Sequence, residues 1–229
     1  MKHESLTDSQ LQERITYFGE IITEERLHRI QEVLQQRTRY VSVILEDIFQ
    51  PHNASAVLRS CDGFGIQDVH IIENMNNFHL TKGIELGTSQ WLTINRHREE
   101  NTDNTVQTIK QLKSEGFRII ATTPHNNDVN LEELDVTKGK MALMFGTELT
   151  GLSATALDLA DEYLKIPMYG FVESFNISVS CAITLHHITQ ALRSSDVNLA
   201  LKERERLELT YNWIRNSIKH PELHDKHFS

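Results

Sequence analysis

From residue 40 onward, short runs of β-branched and apolar residues alternate with longer stretches whose apolar positions recur every three or four residues. The runs at 40–45, 68–72, 91–94, 117–123, 141–145 and 163–166 are short and rich in Val, Ile, Leu and Phe, which predicts strands. The stretches at 55–62, 104–114, 153–161 and 177–192 carry the helical period. Strands alternating with helices imply an α/β fold: a mostly parallel sheet with helices on both faces. The flanks differ. Residues 1–38 are polar and helical in pattern, with Thr23 placed to cap a helix whose narrow apolar stripe is Ile22, Leu27, Ile30 and Leu34. A last helix, about 199–218, carries Leu201, Leu207, Leu209, Trp213 and Ile214, and its Lys202–Arg206 segment reads as a solvated face. The expected division is a helical extension over 1–38, an α/β domain over 39–195 and a second helical extension over 196–229.

Proline and glycine mark where the chain leaves the sheet. Pro51, Pro124 and Pro167 follow strand-like runs, and Gly146 follows the run ending at Phe145. Open α/β sheets bind ligands outside the carboxyl ends of their strands, so the chemistry is expected after these exits. After the first lies Asn53-ASAVLR-Ser60. Asn53 is placed to cap a helix and Arg59 lies six residues on, so a capping amide and a surface guanidinium would account for both. The alternative is an amide that orients its neighbours and a guanidinium aimed at phosphate or a developing oxyanion. Asp62-GFG lacks the spacing of a dinucleotide fingerprint and reads as a helix end, with Gly63 or Gly65 left-handed.

After Phe145, Gly146-TELTGLS is a glycine-bounded loop without the Lys-Ser/Thr of a P-loop; Glu148 lies within it and Ser153 reads as a helix cap. After Ile166, PMYGFVESFNISVS joins apolar Met168, Phe171 and Phe175 to compact polar Ser174, Asn176 and Ser178. That mixture suits a small amphipathic ligand, although Ser174 or Asn176 could simply cap the following helix. His220, His224 and His227 have helical spacing, but Pro221 interrupts it, so no metal site is expected.

Composition narrows the function. Of 229 residues, 39% are apolar and 24% charged, which excludes a globally disordered chain. No stretch approaches a membrane span, and the first ten residues lack a signal-peptide core, so a cytoplasmic address is expected. Cys61 and Cys181, far apart in sequence and each on a helix-like pattern, read as buried free thiols. A net charge of −9 speaks against a general nucleic-acid coat.

Taken together, Asn53-ASAVLR, Phe145-GTELTGL and Ile166-PMYGFVESFNISVS resemble, in order and spacing, the three motifs of the SpoU (TrmH) family of the SPOUT superfamily, RNA ribose 2′-O-methyltransferases. The resemblance covers about residues 41–192, and the flanking helices look most like those of the tRNA guanosine-18 methyltransferases. It implies a carboxyl-terminal trefoil knot, S-adenosyl-L-methionine as methyl donor without a metal, a homodimer, and tRNA or another structured RNA as substrate. Carried onto this sequence, Asn53, Arg59, Glu148, Ser174 and Asn176 match the functional polar positions. Thr122, Gly146, Ile166, Met168 and Phe175 match positions around the donor. A guanidinium is a poor base, so the expected role of Arg59 is to stabilise the developing alkoxide and clamp a phosphate. Methylation of ribosomal RNA, or binding of RNA or donor without turnover, are the alternatives; a nicotinamide dehydrogenase would need a Gly-x-Gly-x-x-Gly that is missing. With the net charge acidic, RNA attraction would have to come from a local basic surface, for which Arg59, Lys82, Arg96-His97-Arg98, Arg37 and Arg39 are candidates.

Overall fold

The computed structural model describes residues 6–76, 78, 87–124 and 129–228. The chain forms two compact units, one of Thr38–Leu199 and one joining the described parts of Met1–Arg37 and Ala200–Ser229. In the smaller unit, α1 (Asp8–Gly19) and α2 (Glu24–Leu34) pack on α7 (Glu203–Asn216), and α8 (Pro221–Asp225) follows. Thr23 accepts from the Arg26 N–H, as its capping position predicts. Asp8 pairs with Arg204 at 2.6 Å, tying α1 to α7. His220 is left-handed at φ 54°, so it does not share a continuous helix with His224 and His227. His227 instead stacks on Tyr17, 4.4 Å between ring centres.

The larger unit is built on seven strands: β1 (Thr38–Glu46), β2 (Ile66–Ile72), β3 (Thr93–His97), β4 (Arg118–Thr122), β5 (Val129–Asn130), β6 (Met141–Phe145) and β7 (Glu162–Lys165). Every neighbouring pair is parallel, in the order β3-β2-β1-β6-β4-β7-β5. Side-chain alternation divides the core between the two faces. Val43, Leu45, Leu143 and Phe145 pack with Val57, Leu58, Leu185 and Ile188 of α3 (Pro51–Gly63) and α6 (Ile177–Arg193). Ile44, Ala142 and Met144 point the other way, to Ile109 and Leu112 of α4 (Asn104–Ser114) and Ala156 of α5 (Ala154–Leu159). Cys61 of α3 meets Cys181 of α6; that contact and burial push the Cys181 thiol up.

Three local expectations need correction. The strand expected at 91–94 begins instead at Thr93, after a 3-10 turn over Thr88–Trp91, and runs on through polar Asn95 and Arg96. It is an edge strand with half-exposed residues, so an apolar run does not mark it. Helix α3 starts at Pro51 with Gln50 as its N-cap residue, four residues before the expected start, because proline is preformed for the first helical position. Asn53 is therefore inside the first turn and is not the cap. Of the two candidate glycines, Gly65 is the left-handed one, at φ 80°.

The sheet order reverses direction between β1 and β6, where Leu45 lies beside Phe145. A crevice at the carboxyl ends of these strands follows from that reversal.

Candidate active site

Asn53 lies at the bottom of this crevice, 8% exposed. Its Nδ2 donates to Gln50 Oε1 at 2.7 Å, and its Oδ1 accepts from Asn176 Nδ2 at 3.0 Å. The same Asn176 nitrogen donates to Glu148 Oε1. Asn176 is also the N-cap of α6: its Oδ1 accepts from the Ser178 N–H at 2.9 Å and the Ser178 hydroxyl at 2.6 Å. A single side chain thus joins the segments after β1, β6 and β7.

Glu148 is carried on a closed turn. Thr147 and Gly151 exchange two backbone hydrogen bonds of 3.0 Å, and the Thr147 and Thr150 hydroxyls lie 2.7 Å apart. Gly151 is left-handed at φ 68°. Gly146 has no room for a side chain, since a Cβ there would sit 2.2 Å from the Gly151 carbonyl. Behind the turn, Ser153 caps α5 by accepting from the Ala156 N–H, and is itself anchored to Glu46 at the end of β1. Glu46, 2% exposed, accepts from the Ser153 N–H (2.8 Å), its hydroxyl (2.7 Å) and the Thr105 hydroxyl (2.6 Å).

Thr122, Gly146, Ile166, Met168 and Phe175 line one cavity of about 350 Å³, together with Glu148 and Ser174. Among the described residues, the ionisable side chains on its wall are Glu148 and Glu173, both acidic, a lining that complements positive charge. Arg59 is elsewhere. Six residues separate it from Asn53, about 240° around the helix and roughly 9 Å along it. It is exposed, with no hydrogen-bond or ion-pair partner among the described residues. Of the other basic candidates, Arg37 is 2% exposed under the Trp213 ring, and Arg39 lies 3.5 Å from Asp68. Arg96 is held by both oxygens of Glu73, at 2.6 and 2.8 Å. Lys82 lies outside the described residues.

Sequence reading passed over Gln50, Glu46, Asp47 and Asn76. Asp47 is left-handed at φ 53°, and its Oδ1 accepts from the N–H groups of Asn74, Met75 and Asn76 at 2.8, 2.8 and 3.1 Å. The one available signal was the Glu46-Asp47 pair closing an apolar strand.

A family model described as "SpoU rRNA Methylase family" matches residues 40–186, a span that takes in the whole crevice. The chain belongs to this family. Among SpoU relatives, a Borreliella burgdorferi protein named tRNA (guanosine(18)-2′-O)-methyltransferase is 43% identical over 93% of this chain and 94% of its own length. An Aquifex aeolicus protein of the same name is 32% identical over 86% of this chain and 92% of its own. The crystal structure titled A. aeolicus TrmH/SpoU tRNA modifying enzyme superposes with a TM-score of 0.74 at 30% identity, covering 86% of this chain and 98% of that one. This SpoU chain thus shares the α/β fold of its solved relatives and aligns with them well beyond the motifs.

Proposed function

We propose that the protein transfers a methyl group from S-adenosyl-L-methionine to a ribose 2′-hydroxyl in RNA, with guanosine 18 of the tRNA D-loop as its target. The observation that carries this reading is the Asn53–Asn176–Glu148 junction, whose Glu148 also lines the cavity assigned to the methyl donor. Relatives bearing the guanosine-18 name, similar along nearly their whole length, support the tRNA target.

The cavity fits the donor. Ile166, Met168, Phe175 and Leu157 supply apolar wall for an adenosine, and Glu148 and Glu173 complement positive charge. When bound, the donor supplies a methyl already activated by its sulfonium, so the protein's task is to hold the attacking oxygen in line. Positioning of that kind is worth up to about 7–11 kcal/mol. Asn176 bonds both Asn53 and Glu148, and Ser174, on the cavity wall, is assigned to hold the ribose. Arg59 is exposed and lines neither cavity of its own copy, which supports a homodimer in which each copy's Arg59 serves the other's site, stabilising the developing alkoxide and clamping a phosphate. The carboxyl-terminal knot and the cytoplasmic address belong to the same reading.

The test is transfer of labelled methyl into unmodified tRNA transcripts, followed by mapping of the alkali-resistant phosphodiester. Modification at position 18 is expected. Label confined to ribosomal RNA would replace tRNA by the rival substrate, and no label in either RNA would leave a binding protein without turnover.

A further inference from the structure

Across the Glu148 turn lies a second cavity of about 290 Å³, walled by Ile48, Phe49, Gln50, Asn53, Asn76 and Ile177. Its polar groups are unevenly used. Asn53 is bonded at both ends of its amide, and the Thr147 and Thr150 hydroxyls share one hydrogen bond. Gln50 uses only its oxygen, on Asn53, which leaves Nε2 without a partner among the described residues. Asn76 is held by Asp47 through its backbone N–H and, at 3.0 Å, its Nδ2, so Oδ1 is left open. Glu148 bonds Asn176 through Oε1 and leaves Oε2 open. The Gln50 amino group and the free oxygens of Asn76 and Glu148 thus belong to residues that line a cavity whose rim carries the half-exposed Phe49 ring.

The left-handed Asp47 gives this arrangement a cause. Left-handed backbone is uncommon for a non-glycine residue, and such conformations are concentrated at functional sites. Three N–H bonds hold the Asp47 carboxylate in place, and its backbone carbonyl, by accepting from Asn76 Nδ2, fixes the direction of the Asn76 amide.

We propose that this cavity receives the target base, and that its contacts select guanine: Phe49 stacks on the ring, Gln50 Nε2 donates to O6, and Asn76 Oδ1 and Glu148 Oε2 accept from N1–H and the 2-amino group. Guanine alone among the four bases offers two donors and one acceptor on its Watson–Crick edge, the edge by which unstacked RNA bases are read. The assignment rests on the methyltransferase reading and adds to it the groups that recognise the base. With the ribose between the two cavities, the base falls on the far side of Glu148 from the donor.

Gln50→Glu is the decisive variant, because it keeps the oxygen that Asn53 uses and replaces the donor by an acceptor of equal size. The comparison is kcat/KM on tRNA transcripts carrying guanosine or 2-aminopurine riboside, which lacks O6 and N1–H, at the target position. The unaltered protein is expected to prefer guanosine by at least about 100-fold, since a site built to hydrogen-bond a base rejects an analogue that leaves its groups unpaired. Gln50→Glu and Asn76→Ala should each reduce that ratio at least about tenfold, through the guanosine substrate. Unchanged ratios in both variants overturn the assignment even if methylation itself is normal. Fluorescence of the 2-aminopurine transcript, read without methyl donor, gives a second arm: quenching is expected on binding and should be lost in Phe49→Ala. If the unaltered protein transfers no methyl, the enzymatic reading fails by itself. The quench then decides the base site: its loss in Phe49→Ala supports the site, and an unaltered quench overturns it.

Discussion

At Asn176 the amide oxygen accepts from Ser178 while the nitrogen reaches Asn53 and Glu148, so helix capping and site assembly are carried by one side chain. Different substitutions separate the two. Asn176→Ala should cost about 1 kcal/mol in lost capping, which lowers the melting temperature by roughly 2–4 °C for a chain of this size, and should reduce methyl transfer at least about 100-fold. Asn176→Ser keeps a capping oxygen and should restore the melting temperature without restoring transfer. Calorimetry and a transfer assay on the same preparations check this. A second residue-scale effect concerns His70, whose Nδ1 lies 3.0 Å from His97 Nε2. Burial and the neighbouring His97 lower His70 to about 4, and burial also lowers His97, against Glu99 and Glu115. With the folded value below the unfolded one of about 6.5, His70 contributes stability that is fully present above pH 6.5 and is lost as pH falls toward 4, up to about 3 kcal/mol. Urea midpoints measured across that window should fall with pH, and His70→Gln should flatten the slope.

At the scale of elements, the Gly146–Leu152 segment is rigid for reasons spread over several places: a glycine that touches backbone, a left-handed glycine, paired threonines and the buried Glu46 anchor. Gly146→Ala should therefore weaken binding of S-adenosyl-L-methionine at least about tenfold by titration calorimetry. Gly63→Ala, where a Cβ meets nothing within 4 Å, is the matched control and should bind the donor normally. The central strands were legible in the sequence because both faces of a parallel sheet are buried, so each carries a short run that is mostly apolar, as in Val43–Leu45 and Met141–Phe145. Edge strand β3 was misplaced because half its surface is wet, and β5, two residues long, carries no pattern at all. The start of α3 was missed because Pro51 was taken as the end of the strand segment, when it also opens the helix.

For the whole molecule, the charge of −9 has to be set beside a basic surface smaller than the sequence suggested. Arg37 is buried, and Arg39 and Arg96 face carboxylates, which leaves Arg59 and Arg98 as exposed cations among the candidates described. If RNA contact rests on these two, few phosphates are neutralised. The plot of log affinity for tRNA against log salt should be shallower than about −3, where a protein making six to ten phosphate contacts gives about twice that or more. Filter binding between 50 and 200 mM salt measures it, and a steep slope would show that a basic surface has been missed.

The sequence by itself determined the α/β class, the caps at Thr23 and Ser153, and the three segments that border the crevice, because strand period, cap chemistry and turn residues are local properties; the choice of Asn176 over Ser174 as the cap of α6 came from the structure. Only the tertiary structure decided which candidates meet. It brought Asn53, Glu148 and Asn176 into contact across 123 and 28 residues of chain, turned Arg59 outward, and made Gln50, Asp47 and Asn76 the frame of a second cavity. Those outcomes depend on strand order and on which face of a helix packs inward. Both are settled by burial of the whole sheet, to which no single segment of sequence refers.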